Sequence, residues 1–129
     1  MVQHYINNGH THIRTHVNVD PVIKTKHLEI AERVLKSFQD QITYEIVAFP
    51  QHGLLAHEDM PSLLREALES GATKLGGLDP AGIDKNIENS LQVTMNIAKE
   101  YGVDVDLHLH DRGQVGFYTM DKWLDMVEE

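Results

Sequence analysis

His108, His110 and Asp111 stand close together in the stretch VDVDLHLHDRG (103–113). The stretch alternates, with Val103, Val105, Leu107 and Leu109 on one face and Asp104, Asp106, His108 and His110 on the other. Successive side chains of a strand point to opposite sides, so this is read as a strand with one oily and one ionisable face. Imidazoles two residues apart on a strand share a face and could chelate one divalent ion, assisted by Asp111 or His16. Such an ion would activate water for hydrolysis, given three or four protein ligands and an open position. The competing reading of the same residues is a polar rim without an ion. Gln51 is the other side chain of interest, because an amide both donates and accepts and can read the edge of a heterocycle. Its alternative role is a hydrogen bond to the backbone of the next loop. His10 and His12 are also two apart, and are read as part of a polar strand face. The chain carries nine histidines and no cysteine, so thiolate ligands, disulfides and a thiol nucleophile are excluded.

The elements that must position these groups follow a regular order. A second alternating stretch, THIRTHVNV (11–19), sets Thr11, Ile13, Thr15, Val17 and Val19 against His12, Arg14, His16 and Asn18. Asp20 and Pro21 then predict a helix start, with Ile23, Ile30, Val34 and Phe38 at helical spacing and Leu28, Ala31 and Leu35 alongside. TYEIVAFPQ (43–51) is the next strand, followed by a helix that Pro61 opens and Gly71 stops. TKLGGL (73–78) is a weak strand, since paired glycines lower strand preference and permit close backbone approach. A helix carrying Ile83, Ile87, Leu91, Met95 and Ala98 leads to a Gly102 cap and the opening stretch. A last amphipathic helix carries Phe117, Met120, Trp123, Leu124 and Val127, read as core-facing.

Strand and helix thus alternate through four units at a period of roughly 30 residues, which predicts a parallel sheet with right-handed crossovers. A sheet covered on both faces would be apolar on both. Two of these strands keep a polar face, which suits helices on the outer side only. The fold class expected is α/β, four consecutive βα units forming half of a TIM-type (β/α)8 barrel with the polar face toward the axis. Asp104 and Asp106 on that face need partners such as Lys74 or Arg14, or else shifted pKa values.

The chain has 129 residues, read as a single domain over 1–129, with formal net charge −9. That charge argues against nucleic-acid backbones and anionic membranes as partners. No apolar run is long enough to span a bilayer and no signal peptide is visible at MVQHYINNG, so a cytoplasmic location is the default expectation.

Three segments, HIRTHVNVD (12–20), EIVAFPQHGLL (45–55) and DLHLHD (106–111), resemble the cytosine deaminase-like branch of the amidohydrolase superfamily. GATKLGG (71–77) is similar in place but weaker. The resemblance covers almost the whole chain and aligns its strands with the second to fifth of the barrel. It implies a zinc or iron ion that activates water for attack on a ring carbon or amide. The family's ligands are an His-x-His pair on strand one, a histidine on strand five and an aspartate on strand eight, and strand six adds another histidine. The resemblance places the strand-five ligand at His108, a substrate-holding amide at Gln51 and the acid/base at Asp111. A glutamate stands at that last position in the family, so Asp111 is one methylene short. One family ligand cannot hold the ion, and the chain by itself is expected to lack the metal and the reaction. An alternative is a site assembled across a homodimer, with His108 and His110 from two chains. Another is a module binding a small ligand without turnover. Unpaired outer strands invite pairing, so self-association as a dimer is expected.

Overall fold

The structure, a computed structural model, describes residues 1–128. A short helix α1 (Val2–Asn7) precedes four strand–helix units: β1 (His12–Asn18) with α2 (Lys26–Lys36), β2 (Thr43–Phe49) with α3 (Met60–Glu69), β3 (Lys74–Leu78) with α4 (Ile87–Tyr101), and β4 (Val105–His108) with α5 (Gly113–Glu128). The strands form one sheet in the order β1-β2-β3-β4, every neighbouring pair parallel. The expected order, direction and class are all present.

The alternation of each strand decides what lies on either side. Val17 of β1 and Val19 just after it, Ile46 and Ala48 of β2, and Leu75 of β3 point the same way as Val103 and Val105. They join Leu28 and Leu35 of α2, Leu63, Leu64, Ala67 and Leu68 of α3, and Ile97 and Ala98 of α4 in one apolar core. The helices therefore cover a single face. The opposite face carries His12, Arg14 and His16 of β1, Glu45 of β2, Lys74 of β3, and Asp106 and His108 of β4. On a flat sheet β1 and β4 would stand roughly 14 Å apart, three strand spacings. The His16 and His108 rings nevertheless lie 4.6 Å apart between centroids. The polar face is therefore concave, as half a barrel requires.

Three local features depart from the sequence pattern. Asp20 Oδ1 accepts from the amides of Val22 and Ile23, both at 2.8 Å, but this closes only a turn. Lys24 has φ of 53°, which breaks helical continuity, so α2 begins at Lys26. Its buried side is Leu28 and Leu35, whereas Ile30 and Val34 are exposed. Likewise α4 starts at Ile87, where the Asn86 side chain accepts from the Asn89 amide, leaving Ile83 exposed. The third departure is α5. Phe117, Met120, Leu124 and Val127 were expected in the core and are exposed, Phe117 at 74%. The helix turns Gly116 and Thr119 inward instead. A Cβ on Gly116 would lie 2.2 Å from the Asp111 carbonyl oxygen, so only glycine lets the helix start seat against the end of β4. As the last helix of the arc, α5 has no further unit among the described residues to cover its outer stripe.

Leu64 is fully buried between α3 and the sheet. Leu64→Ala should lower unfolding free energy in urea by about 2–5 kcal/mol, from lost burial and the cavity left behind.

Candidate functional site

The concave face is organised in rows from the amino to the carboxyl ends of the strands. Lowest, His12 Nδ1 lies 2.8 Å from Thr43 Oγ1. Above it runs an ionic row. Arg14 Nε donates to Glu45 Oε2 at 2.7 Å, and Lys74 Nζ reaches Glu45 Oε1 at 3.2 Å and also the Asp104 carboxylate. Arg14 Nη1 then crosses the concavity to donate to Asp106 Oδ2 at 2.9 Å. The partners expected for the two aspartates, Lys74 and Arg14, are the ones found. Arg14 and then Lys74 hydrogen-bond Glu45 and hold its carboxyl down at about 2. Burial pushes the Asp106 carboxyl up, but bonds from His16 and Arg14 outweigh it, and the net shift is downward.

The next row carries the chemistry. Asp106 Oδ1 lies 3.3 Å from His16 Nε2 and 3.3 Å from His108 Nε2, and those two nitrogens are 3.2 Å apart. Each of the three residues thus offers one ligand atom to a common point. Two imidazoles and a carboxylate suit a zinc-class or ferrous ion. Phe49 forms the floor, its ring edge-on to His16 at 5.3 Å and tilted against His108 at 4.7 Å. That ring packs over Gly76. A Cβ there would lie 2.6 Å from Phe49 Cδ2 and 2.8 Å from the Ala48 carbonyl oxygen.

The residues singled out in the sequence separate into two groups. His108 sits in the three-residue cluster. His110 does not: its Nδ1 pairs with Asp79 Oδ2 at 2.9 Å and its amide donates to the same carboxylate. Its ring is 6.3 Å from that of His108 and lies largely in solvent. Burial pushes Asp79 up, but its bonds from the His110 amide and ring prevail and lower it. Asp111 Oδ2 accepts long hydrogen bonds from the amides of Ala81 and Gly82, at 3.3 and 3.4 Å. Gln51 is exposed on the turn after β2, at the same end of the sheet. His16 and Asp106 are not leading candidates in the sequence, and Asp79 is not among the candidates. The usable signal was height: His16 and His108 each stand close to the carboxyl end of an outer strand.

No family model matches the chain. Over 115 residues it is 41% identical to the N-isopropylammelide isopropyl amidohydrolase of Pseudomonas sp. strain ADP, a match covering 89% of this chain and 28% of that protein. The crystal structure of N-isopropylammelide isopropylaminohydrolase from Burkholderia multivorans ATCC 17616 superposes with a TM-score of 0.96 at 38% identity, over 98% of this chain and 33% of that one. A 5-methylcytosine deaminase from Klebsiella pneumoniae, liganded with phosphonocytosine, gives 0.76 at 31% identity over 90% of this chain and 28% of its own. The chain thus spans about a third or less of the length of these relatives.

Two outcomes follow from the geometry. Gly76→Ala should displace Phe49 and destabilise the protein by about 1–3 kcal/mol, with chemical-shift changes at the His16 and His108 rings in NMR spectra. For Glu45, whose folded pKa lies below its ordinary value of 4.5, the stabilisation is present above that value and is lost as pH falls toward about 2. Urea melts from pH 6 to 2 should show a shallower decline below pH 4.5 for Glu45→Gln than for the parent chain.

Proposed function

We propose that this chain, a stretch of amidohydrolase-superfamily sequence of the cytosine deaminase-like branch, forms part of the barrel wall of a metal-dependent hydrolase acting on non-peptide carbon–nitrogen bonds. The observation that carries the proposal is the convergence of His108, His16 and Asp106 at the carboxyl ends of parallel strands, where α/β barrels carry out their chemistry. A divalent ion held there would supply activated water. His108 serves as one of its ligands. Gln51, on the adjoining rim, would hold the edge of a planar nitrogenous substrate by donating and accepting at once. Asp111, three residues after His108, would move a proton between water and the leaving nitrogen. Its present hydrogen bonds to Ala81 and Gly82 are longer than the usual 2.9–3.0 Å, so the carboxylate can turn toward a substrate.

Four strands do not close a barrel, and the concave face is left open on one side. Turnover therefore needs the other half of the ring. A second copy of the chain is a suitable source, because the exposed apolar surface lies at the two ends of the arc. A groove of about 630 Å³ runs beside β1, lined by Tyr5, Ile13, Ile30 and Val34 among others. Another of about 450 Å³ lies beside β4, lined by Val103, Val105, Trp123 and Val127. The outer stripe of α5 adjoins the second. Two copies, each setting β4 beside the other's β1, would pair all strand edges and cover both grooves in an eight-stranded ring.

Light scattering coupled to size exclusion should report a dimer at micromolar concentration, and Phe117→Asp combined with Met120→Asp should shift it to monomer. A wild-type monomer would remove the two-copy ring. Release of isopropylamine from N-isopropylammelide or ammonia from 5-methylcytosine, assayed with zinc- or iron-loaded protein, is expected only from the assembled species. Turnover by a monomer would contradict the requirement for a second half.

A further inference from the structure

We infer that His16, Asp106 and His108 constitute a three-ligand site for one zinc-class divalent cation within a single chain. The inference deepens the hydrolase reading, on which it rests for the use of the site, but the ligand set is its own. Of the ligands that the family resemblance implies, only His108 takes part. His16 comes from β1, at the far edge of the sheet, and Asp106 from the same strand as His108.

The geometry is that of one face of a coordination tetrahedron. The three ligand atoms form a nearly equilateral triangle with sides of 3.2, 3.3 and 3.3 Å. Ligands 2.0–2.1 Å from a tetrahedral ion stand about 3.3–3.4 Å from one another, so the spacing of the three atoms matches that of ligands sharing one ion. Three protein ligands leave a fourth position for water or substrate. Access to it is available, since the His16 and His108 side chains are 33% and 38% exposed.

Each ligand is also held in place by a neighbour. Asp106 presents only Oδ1, because Arg14 occupies Oδ2, and its side chain is 15% exposed. The Arg14 guanidinium is fixed in turn by Glu45, which Lys74 also grips. Such outer partners orient a ligand and tune its affinity for metal. Phe49 packs against both imidazoles and limits their rotation. Two imidazole nitrogens and a carboxylate oxygen thus crowd together, and a cation would be a partner common to all three. His110 is excluded from the set because Asp79 holds it away from this point.

The test is zinc titration of EDTA-stripped protein by calorimetry, with cobalt(II) as an optical reporter of coordination and circular dichroism as the check of folding. One zinc per chain is expected, together with intense visible cobalt bands of a four-coordinate ion. His16→Ala and His108→Ala should each weaken zinc binding by on the order of 100-fold or more while His110→Ala leaves it unchanged, since losing one of three ligands is worse than losing an outer partner. Arg14→Gln should weaken it by about 10–100-fold, as expected for an outer partner. Binding that survives His16→Ala but is lost in His110→Ala would overturn this ligand set and leave the hydrolase reading standing. Several weak ions, equally indifferent to all four substitutions, would overturn it as adventitious histidine binding. If His16→Ala fails to fold, His16→Gln with the cobalt spectrum decides the same question.

Discussion

The contact on which the rest of the molecule depends is the reach of Arg14 across the concave face to Asp106. It joins the two outermost strands of a sheet whose neighbours are otherwise tied by backbone hydrogen bonds. It is also the end link of a chain of charges, Asp104–Lys74–Glu45–Arg14–Asp106, in which each cation sits between two carboxylates. Isolated pairs this accessible contribute little to stability, but a shared network with fixed geometry contributes more than its separate members. The bend of the sheet brings that row of side chains together, and the row in turn offsets most of the negative charge on the inner face. The histidines above that row meet because the sheet bends, and Asp106 offers them a single oxygen because Arg14 holds the other.

Glycine and aromatic residues complete the arrangement without any charge. Gly76 leaves the space that the Phe49 ring fills, and Phe49 is the floor on which His16 and His108 rest. Val47, Phe49 and Leu78 form a small buried apolar group under the polar residues. The inner face is therefore neither a plain hydrophobic core nor a water-filled channel. It is an apolar layer roofed by ionisable groups whose partners lie on other strands, and such a surface can present a metal ligand set in a fixed shape.

The outer face tells a complementary story. Between β1 and β4 the helices bury the apolar side of the sheet completely, with Ile46, Leu64, Leu75 and Ile97 all out of contact with solvent. At the two ends of the arc that coverage stops. Ile30 and Val34 at one end, and Phe117, Met120, Leu124 and Val127 at the other, were apolar at helical spacing and so looked like core in the sequence. Helical spacing shows that a helix has an apolar face, not whether anything in the same chain packs on it. Four units of a ring leave two such faces uncovered.

Local chemistry was determined by the sequence alone. Alternation in 11–19 and 103–110 assigned the strands and their polar faces, glycine and proline marked the boundaries, and the 30-residue repeat dictated a parallel, one-sided sheet. Even the partners of Asp104 and Asp106 were legible, since carboxylates on the polar face draw the few cations that alternate onto it. What only the tertiary structure decided was which of nine histidines act together. His108 and His110 are neighbours on one strand, yet Asp79 at the end of another strand draws His110 outward. His108 and His16 lie 92 residues apart in the chain and touch because curvature closes the distance. Sequence spacing fixes separation along a strand. Separation across a sheet depends on how sharply it bends, and that is set by the packing of every helix on its outer side.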